Sequence, residues 1–128
     1  LTDRVDCKKY NIEIIGLVDS MTPYYEQADI VIAPVFDGGG MKAKTIESFS
    51  FGKVLISTTE SLNGYWEAIP EAMRDRLIFQ CNSADEWVKA VNSLLGVAIN
   101  RYNEEVIDVF NKNFSYSALL EQFKRQLL

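Results

Sequence analysis

The chain has 128 residues, 48% of them hydrophobic and 24% charged, which excludes disorder and low complexity and leaves room for one domain with a real core but not for two. Thirteen Lys and Arg stand against 18 Asp and Glu, a net charge of −5, so non-specific binding to nucleic acid, which needs a basic surplus, is excluded as a role. With no histidine there is no imidazole to act as base, nucleophile or metal ligand.

The first apolar run, Asn11 to Gly16 (NIEIIG), is β-branched and ends at glycine, which predicts a short buried strand. Pro23 to Ala28 (PYYEQA) reads as a short helix, with Thr22 as N-cap and Pro23 in the first turn, and with Asp19 as a second candidate cap. Asp29 to Pro34 (DIVIAP) is a second strand, ended by a proline that cannot donate to a ladder. Met41 to Phe51 is predicted as a helix with Ile46, Phe49 and Ser50 on one face, and it stops at Gly52. Lys53 to Thr58 (KVLIST) and Leu77 to Cys81 (LIFQC) make a third and a fourth strand. Between them Gly64 to Arg76 is helical only in part, because Pro70 interrupts it. Ser83 to Leu95 opens with Ser83 and Glu86 at capping-box spacing and carries Trp87, Val91, Leu94 and Leu95 as an apolar stripe. Two amphipathic stretches, 99–111 and 115–127, close the chain.

Near-continuous apolar strands suit a sheet buried on both faces. Their alternation with helices predicts an α/β fold, a Rossmann-like parallel sheet flanked by helices, with right-handed crossovers. Residues 1–128 read as a single domain with no internal linker, and a start so close to a strand suggests part of something larger. Cys7 and Cys81 lie far apart and form no CxxC, so neither a zinc site nor a disulfide scaffold is indicated. No apolar run reaches the roughly 18 residues of a membrane span, and LTDRVDCKKY lacks the apolar core of a signal peptide. The expected setting is cytoplasmic, with peripheral association at the inner face of the membrane left open.

Ligands of open α/β sheets bind beyond the carboxyl ends of the strands, which here means the loops after Gly16, Pro34 and Thr58. The second loop is the informative one. Gly38, Gly39 and Gly40 allow close backbone approach and lead into a helix whose free N–H groups and dipole favour an anion. Lys42 stands at that same start, where the dipole disfavours a cation, so a phosphate would account for it. Glu47 lies six residues beyond Met41, about 9 Å along a helix, within reach of sugar hydroxyls on a ligand whose phosphate sits at the helix start. The plain alternatives stay open: an ordinary GGG turn, an exposed Lys42, a surface pair of Lys44 with Glu47 at i, i+3, and a polar surface loop from Glu60 to Gly64. Trp66, Trp87 and the tyrosines read as core or rim. No pattern gives a nucleophile–base pair, a Walker loop or a metal site.

Taken in order, GLVD (Gly16 to Asp19), YYEQADIVIAP (Tyr24 to Pro34), GGGMKAKTIE (Gly38 to Glu47) and GKVLIST (Gly52 to Thr58) resemble the C-terminal, donor-binding domain of group 1 glycosyltransferases. These enzymes pair two Rossmann-like domains in the GT-B fold and move a sugar from a nucleotide-sugar with retention of configuration and without a bound metal. The resemblance implies that Leu17 and Val18 lie near the base. It also implies that Gly38, Gly39, Gly40, Met41 and Lys42 surround the diphosphate and donor sugar, and that Glu47 binds the ribose hydroxyls. The commonest family pattern has two glutamates separated by seven residues; here the first position is Gly39, as in a subset with glycines followed by two lysines, which bears on the sugar contact more than on the nucleotide. The implied partners are the nucleotide-sugar donor and a glycan or lipid-linked acceptor held by an N-terminal domain. The implied setting is a longer hexosyltransferase of polysaccharide or glycoconjugate synthesis, of which residues 1–128 are a donor-domain fragment, truncated at its N-terminus so that it lacks the basic residues that bind diphosphate in the family, and inactive alone. The competing expectation is a non-catalytic flavodoxin-like interaction or regulatory domain; an epimerase would place a GxGxxG near its first strand, and the sequence has none.

Overall fold

A computed structural model describes residues 5–38 and 42–127. The elements run α1 (Thr22–Gln27), β1 (Ile30–Ala33), α2 (Ala43–Ser50), β2 (Val54–Ser57), α3 (Thr59–Leu62), two 3-10 turns (Trp66–Ala68 and Glu71–Met73), β3 (Ile78–Gln80), α4 (Ala84–Leu94), α5 (Glu104–Asn113) and α6 (Tyr116–Leu127). The strands form one parallel sheet in the order β1-β2-β3, with Ile30 opposite Val54 and Leu55 opposite Ile78. This is the Rossmann-like α/β arrangement of a parallel sheet flanked by helices, as the alternation of elements predicts.

All four residues of β2 are buried, as a central parallel strand requires. The expectation of burial on both faces fails for β1, an edge strand whose Ile32 is exposed. The core joins Val54, Leu55 and Ile56 of β2 to Phe49 of α2, Ile78 and Phe79 of β3, Ala90 and Leu94 of α4, and Val106 and Val109 of α5. Phe49, Tyr65 and Phe114 extend it as an aromatic cluster, with Tyr65 edge-on to both phenylalanines at centroid distances of 6.3 and 5.2 Å.

Three sequence expectations are corrected. Asn11 to Gly16 is not a strand: it runs as turn and irregular chain, and Ile14 is 58% exposed. No described strand lies beside it, and an apolar run without a neighbouring ladder cannot satisfy its own N–H and C=O groups. α1 begins one residue early, with Met21 at the N-cap position and Ser20, not Asp19 or Thr22, supplying the side-chain oxygen that accepts from Thr22 N–H at 3.2 Å. On α4 the buried positions are Ala90 and Leu94, with Trp87 packed beside them, whereas Val91 and Leu95 face outward. The capping box itself forms as expected: Ser83 Oγ accepts from Glu86 N–H, and Glu86 Oε2 accepts from the amides of Asn82 and Ser83 at 2.6 and 3.0 Å. Those two amides hold the Glu86 carboxyl below its ordinary pKa.

α2 ends where Gly52 takes φ +64°. A Cβ there would also meet the backbone of Asn103 at 2.9 Å, so the position needs glycine for its conformation and for the close approach of the α5 N-terminus. α6 is amphipathic, as its sequence pattern indicates, yet it buries no residue. Glu121, Gln122 and Arg125 border an open crevice beside Asn111 and Lys112 of α5 and are exposed, as are Tyr116, Leu119, Leu120, Phe123 and Leu127. Among the described residues no helix is long and apolar enough to cross a membrane.

Lys53, which opens β2's chain run, is 2% exposed. Its ammonium donates to the carbonyls of Glu26, Ala28 and Arg101, tying the end of α1 and the segment before α5 to the start of the central strand. Burial, and then the nearby Arg101 charge, push its pKa down. Lys53→Met removes the donor that three part-buried carbonyls share, so it should cost about 1–3 kcal/mol in a chemical denaturation series against wild type. A change within experimental error would show that solvent reaches those carbonyls.

Candidate functional site

The carboxyl end of the sheet carries the loops after β1, β2 and β3, and one short helix ties them together. Thr58 caps α3, its Oγ1 accepting from Ser61 N–H at 3.1 Å. The same hydroxyl donates to the carbonyl of Val35 in the loop after β1. Thr45 of α2 donates to the Ser61 carbonyl at 2.9 Å and pairs with the Ser61 hydroxyl at the same distance. Asn82, just after β3, donates to Thr59 Oγ1 at 2.9 Å and accepts from Thr59 N–H at 3.0 Å. Residues 59–62, read from the sequence partly as a polar surface loop, are therefore a hydrogen-bonded hub in which Ser61 and Leu62 are buried. The signal was present in Thr58 and Ser61, spaced as an N-cap and its N3 position.

α2 starts at the edge of this hub. Lys42 occupies its N-cap position and its carbonyl accepts from the amides of Thr45 and Ile46, but its side chain cannot cap, and no acidic residue stands in the first turn. The first amides of the helix thus lack a side-chain acceptor from within α2. The Lys42 ammonium folds back to the carbonyl of Gly38 and forms a 3.0 Å ion pair with Glu60 Oε1 of α3. The two side chains are 12% and 36% exposed. A lysine at a helix start looked in the sequence like a group awaiting a phosphate; here a carboxylate of the protein already offsets the disfavoured charge.

Glu47 lies five residues further along α2, about 7.5 Å in axial rise. It is exposed, and its Oε2 accepts from the hydroxyl of Tyr25 on α1 at 2.9 Å. Tyr25 itself is 6% exposed, stacked on Phe51 with centroids 4.9 Å apart and planes 3° from parallel. The carboxylate keeps further lone pairs for other donors. Sequence reasoning passed over Tyr25, since a tyrosine 22 residues from Glu47 carries no local pattern.

The structure thus brings Gly38 and Lys42 together with Glu60, and places Glu47 on the same helix against Tyr25. Leu17 stands fully exposed and Val18 half-buried in the irregular segment before α1. Gly39, Gly40 and Met41 lie outside the described residues. Among the described residues there is no group of three or more acidic, cysteine or histidine side chains able to hold a metal ion. Cys7 and Cys81 are free thiols; burial pushes the Cys81 thiol pKa up, and it donates weakly to the Glu86 carbonyl.

Burial, followed by the Glu47 carboxylate, raises the Tyr25 pKa from its ordinary 10 to about 12. The folded state therefore holds the phenolic proton more tightly than the unfolded chain does. That contribution to stability is complete below the unfolded pKa and is lost as pH rises from about 10 to 12. Denaturation midpoints across this window should fall more steeply for wild type than for Tyr25→Phe, and parallel curves would mean that the phenol ionises freely in the folded chain.

A family model described as glycosyl transferases group 1 matches residues 1–96, three quarters of the chain. No curated protein and no solved structure gave a significant match.

Proposed function

The chain belongs to the group 1 glycosyl transferases, and from that premise we propose that residues 1–128 belong to a nucleotide-sugar donor domain in the C-terminal half of a retaining enzyme of GT-B fold. The enzyme transfers a hexosyl unit to a glycan or lipid-linked acceptor held by an N-terminal domain, in polysaccharide or glycoconjugate synthesis, at the cytoplasmic side and without a metal. Family membership favours this over the flavodoxin-like interaction module.

One observation carries the reading: a carboxylate held in place by a buried tyrosine, on the same helix whose start bears Lys42 at the carboxyl end of the sheet. Glu47 accepts from the ribose hydroxyls, its side chain already oriented by Tyr25, so less conformational freedom is lost on binding. The diphosphate lies at the start of α2, where the first amides and Lys42 face the charge that builds on the leaving group. Gly38 to Met41 approach the diphosphate and donor sugar through the backbone, and Leu17 and Val18 border the base. Transfer needs donor and acceptor held together in a water-poor cleft, which one domain does not enclose.

Thermal-shift titrations with UDP, GDP and ADP test this directly, since a ligand that binds only the folded state raises the midpoint by mass action. One nucleotide should stand out, and Glu47→Ala should weaken it about tenfold or more, the value of losing hydrogen bonds to a charged acceptor. Equal binding by Glu47→Ala would remove the ribose role from this residue.

A further inference from the structure

Lys42 presents three N–H donors, and two of its partners are fixed. One is the Gly38 carbonyl; the other is Glu60. Gly38 adopts φ +138°, and a Cβ built on it would lie 3.8 Å from the Lys42 ammonium, so the side chain reaches back to Gly38. Glu60 does not reach this point by chance of a floppy loop. It stands in the first turn of α3, a helix held on one side by Thr45 of α2 and on the other by Thr58 and Asn82. The backbone that carries Glu60 is therefore fixed relative to the start of α2, and its carboxylate occupies the place beside Lys42 that an incoming anion would need.

We propose that Glu60 is a placeholder for the donor's diphosphate. It neutralises Lys42 before the donor binds and yields the ammonium when phosphate oxygens arrive, so that it sets how strongly the site takes doubly charged phosphate ligands. The inference rests on the donor-site reading above and adds to it a residue that selects by charge. A carboxylate left within a few ångströms of a diphosphate is a repulsive element, and such elements set specificity as much as attractive ones do. Ligands with phosphate rich enough in charge to displace Glu60 bind; a bare nucleoside gains nothing from Lys42 and feels little of Glu60. The more open position of Glu60, 36% exposed against 12% for Lys42, fits the direction of the exchange: the carboxylate turns to solvent at small cost, while the lysine stays in place.

The test is nucleotide binding by isothermal titration with UDP, GDP, ADP and the matching nucleosides, using the whole 128-residue chain. Glu60→Gln keeps the size and a carbonyl acceptor for Lys42 but removes the charge. It should tighten the preferred nucleoside diphosphate about tenfold, between the weak limit set by water and the stronger one of a protein surface, and leave the nucleoside unchanged. Glu60→Asp, which withdraws the carboxylate by one methylene, should shift affinity the same way by less. Glu71→Gln, on the 3-10 turn before β3, alters the net charge equally and should change nothing. In a Lys42→Gln background the gain from Glu60→Gln should shrink, since there is no ammonium left to release. Diphosphate binding that is equal or weaker in Glu60→Gln, or a gain of the same size in both backgrounds, overturns the placeholder role while the donor site stands. If no nucleotide binds wild type or Glu60→Gln, although both melt cooperatively, the donor-site reading and this inference fall together.

Discussion

A parallel strand cannot be set beside its neighbour by a tight turn, so its position must come from contacts at its two ends and from burial between them. In this chain that demand falls on β2. Its four residues have no exposed face, and the two neighbouring strands pair with it and not with each other. At its entry the Lys53 ammonium gathers three carbonyls from the end of α1 and the segment before α5. At its exit the hydroxyls of Ser57 and Thr58 take the carbonyls of Ala33 and Val35. A buried lysine is a costly device unless every donor is used, and its use here is local: it gathers three carbonyls at one end of the sheet onto one ammonium.

What Lys53 does below the sheet, α3 does above it. The turn is only four residues long, too short for intrinsic helicity to hold it, and it persists because Thr58 caps it and ties it to Val35 after β1, while Thr45 of α2 and Asn82 after β3 bond it as well. Its rigidity is then available to the side chain it carries outward. Lys42 and Glu60 make an ion pair at a protein surface, where such pairs contribute at most about 1 kcal/mol. Stability is a weak reason for the pair. Its place is the start of α2, where the first amides and the Lys42 ammonium stand together, the point at which the proposed diphosphate would meet it.

The legible part of the sequence was the part written in local chemistry. The strand at 30–33 and the strand at 54–57 follow from β-branched runs bounded by proline and glycine; the α4 capping box follows from Ser83 and Glu86; the end of α2 follows from Gly52. The failures share one cause, dependence on a partner distant in sequence. Residues 11–16 have strand composition, but no described strand offers them a ladder. The stripe on α6 shows that one face is apolar without showing whether it meets protein, and neither face of α6 is buried. On α4, Val91 and Leu95 share the hydrophobicity of Leu94 but not its direction. The candidate site divides in the same way: Gly38, Lys42 and Glu47 stand out by residue type and spacing, whereas Tyr25 and Glu60 acquire their significance only when α1 and α3 are folded against α2.

The Tyr25–Glu47 contact shows how a fold can prepare a polar group for work at the surface. A lone exposed glutamate samples several rotamers and loses that freedom on binding a ligand. Here the restriction is met during folding, because Tyr25 is stacked on Phe51 and its hydroxyl has a fixed direction. The phenol gives up water in exchange for one charged acceptor, and its raised pKa measures that exchange. α1 is six residues long and contributes a single buried side chain, so its packing alone is slight. The chain invests that side chain in orienting Glu47 instead of in bulk hydrophobic contact, and Lys53 holds the carbonyls at the end of the same helix. The buried lysine at one end of β2 and the carboxylate on α2 thus both bond to the segment that α1 occupies.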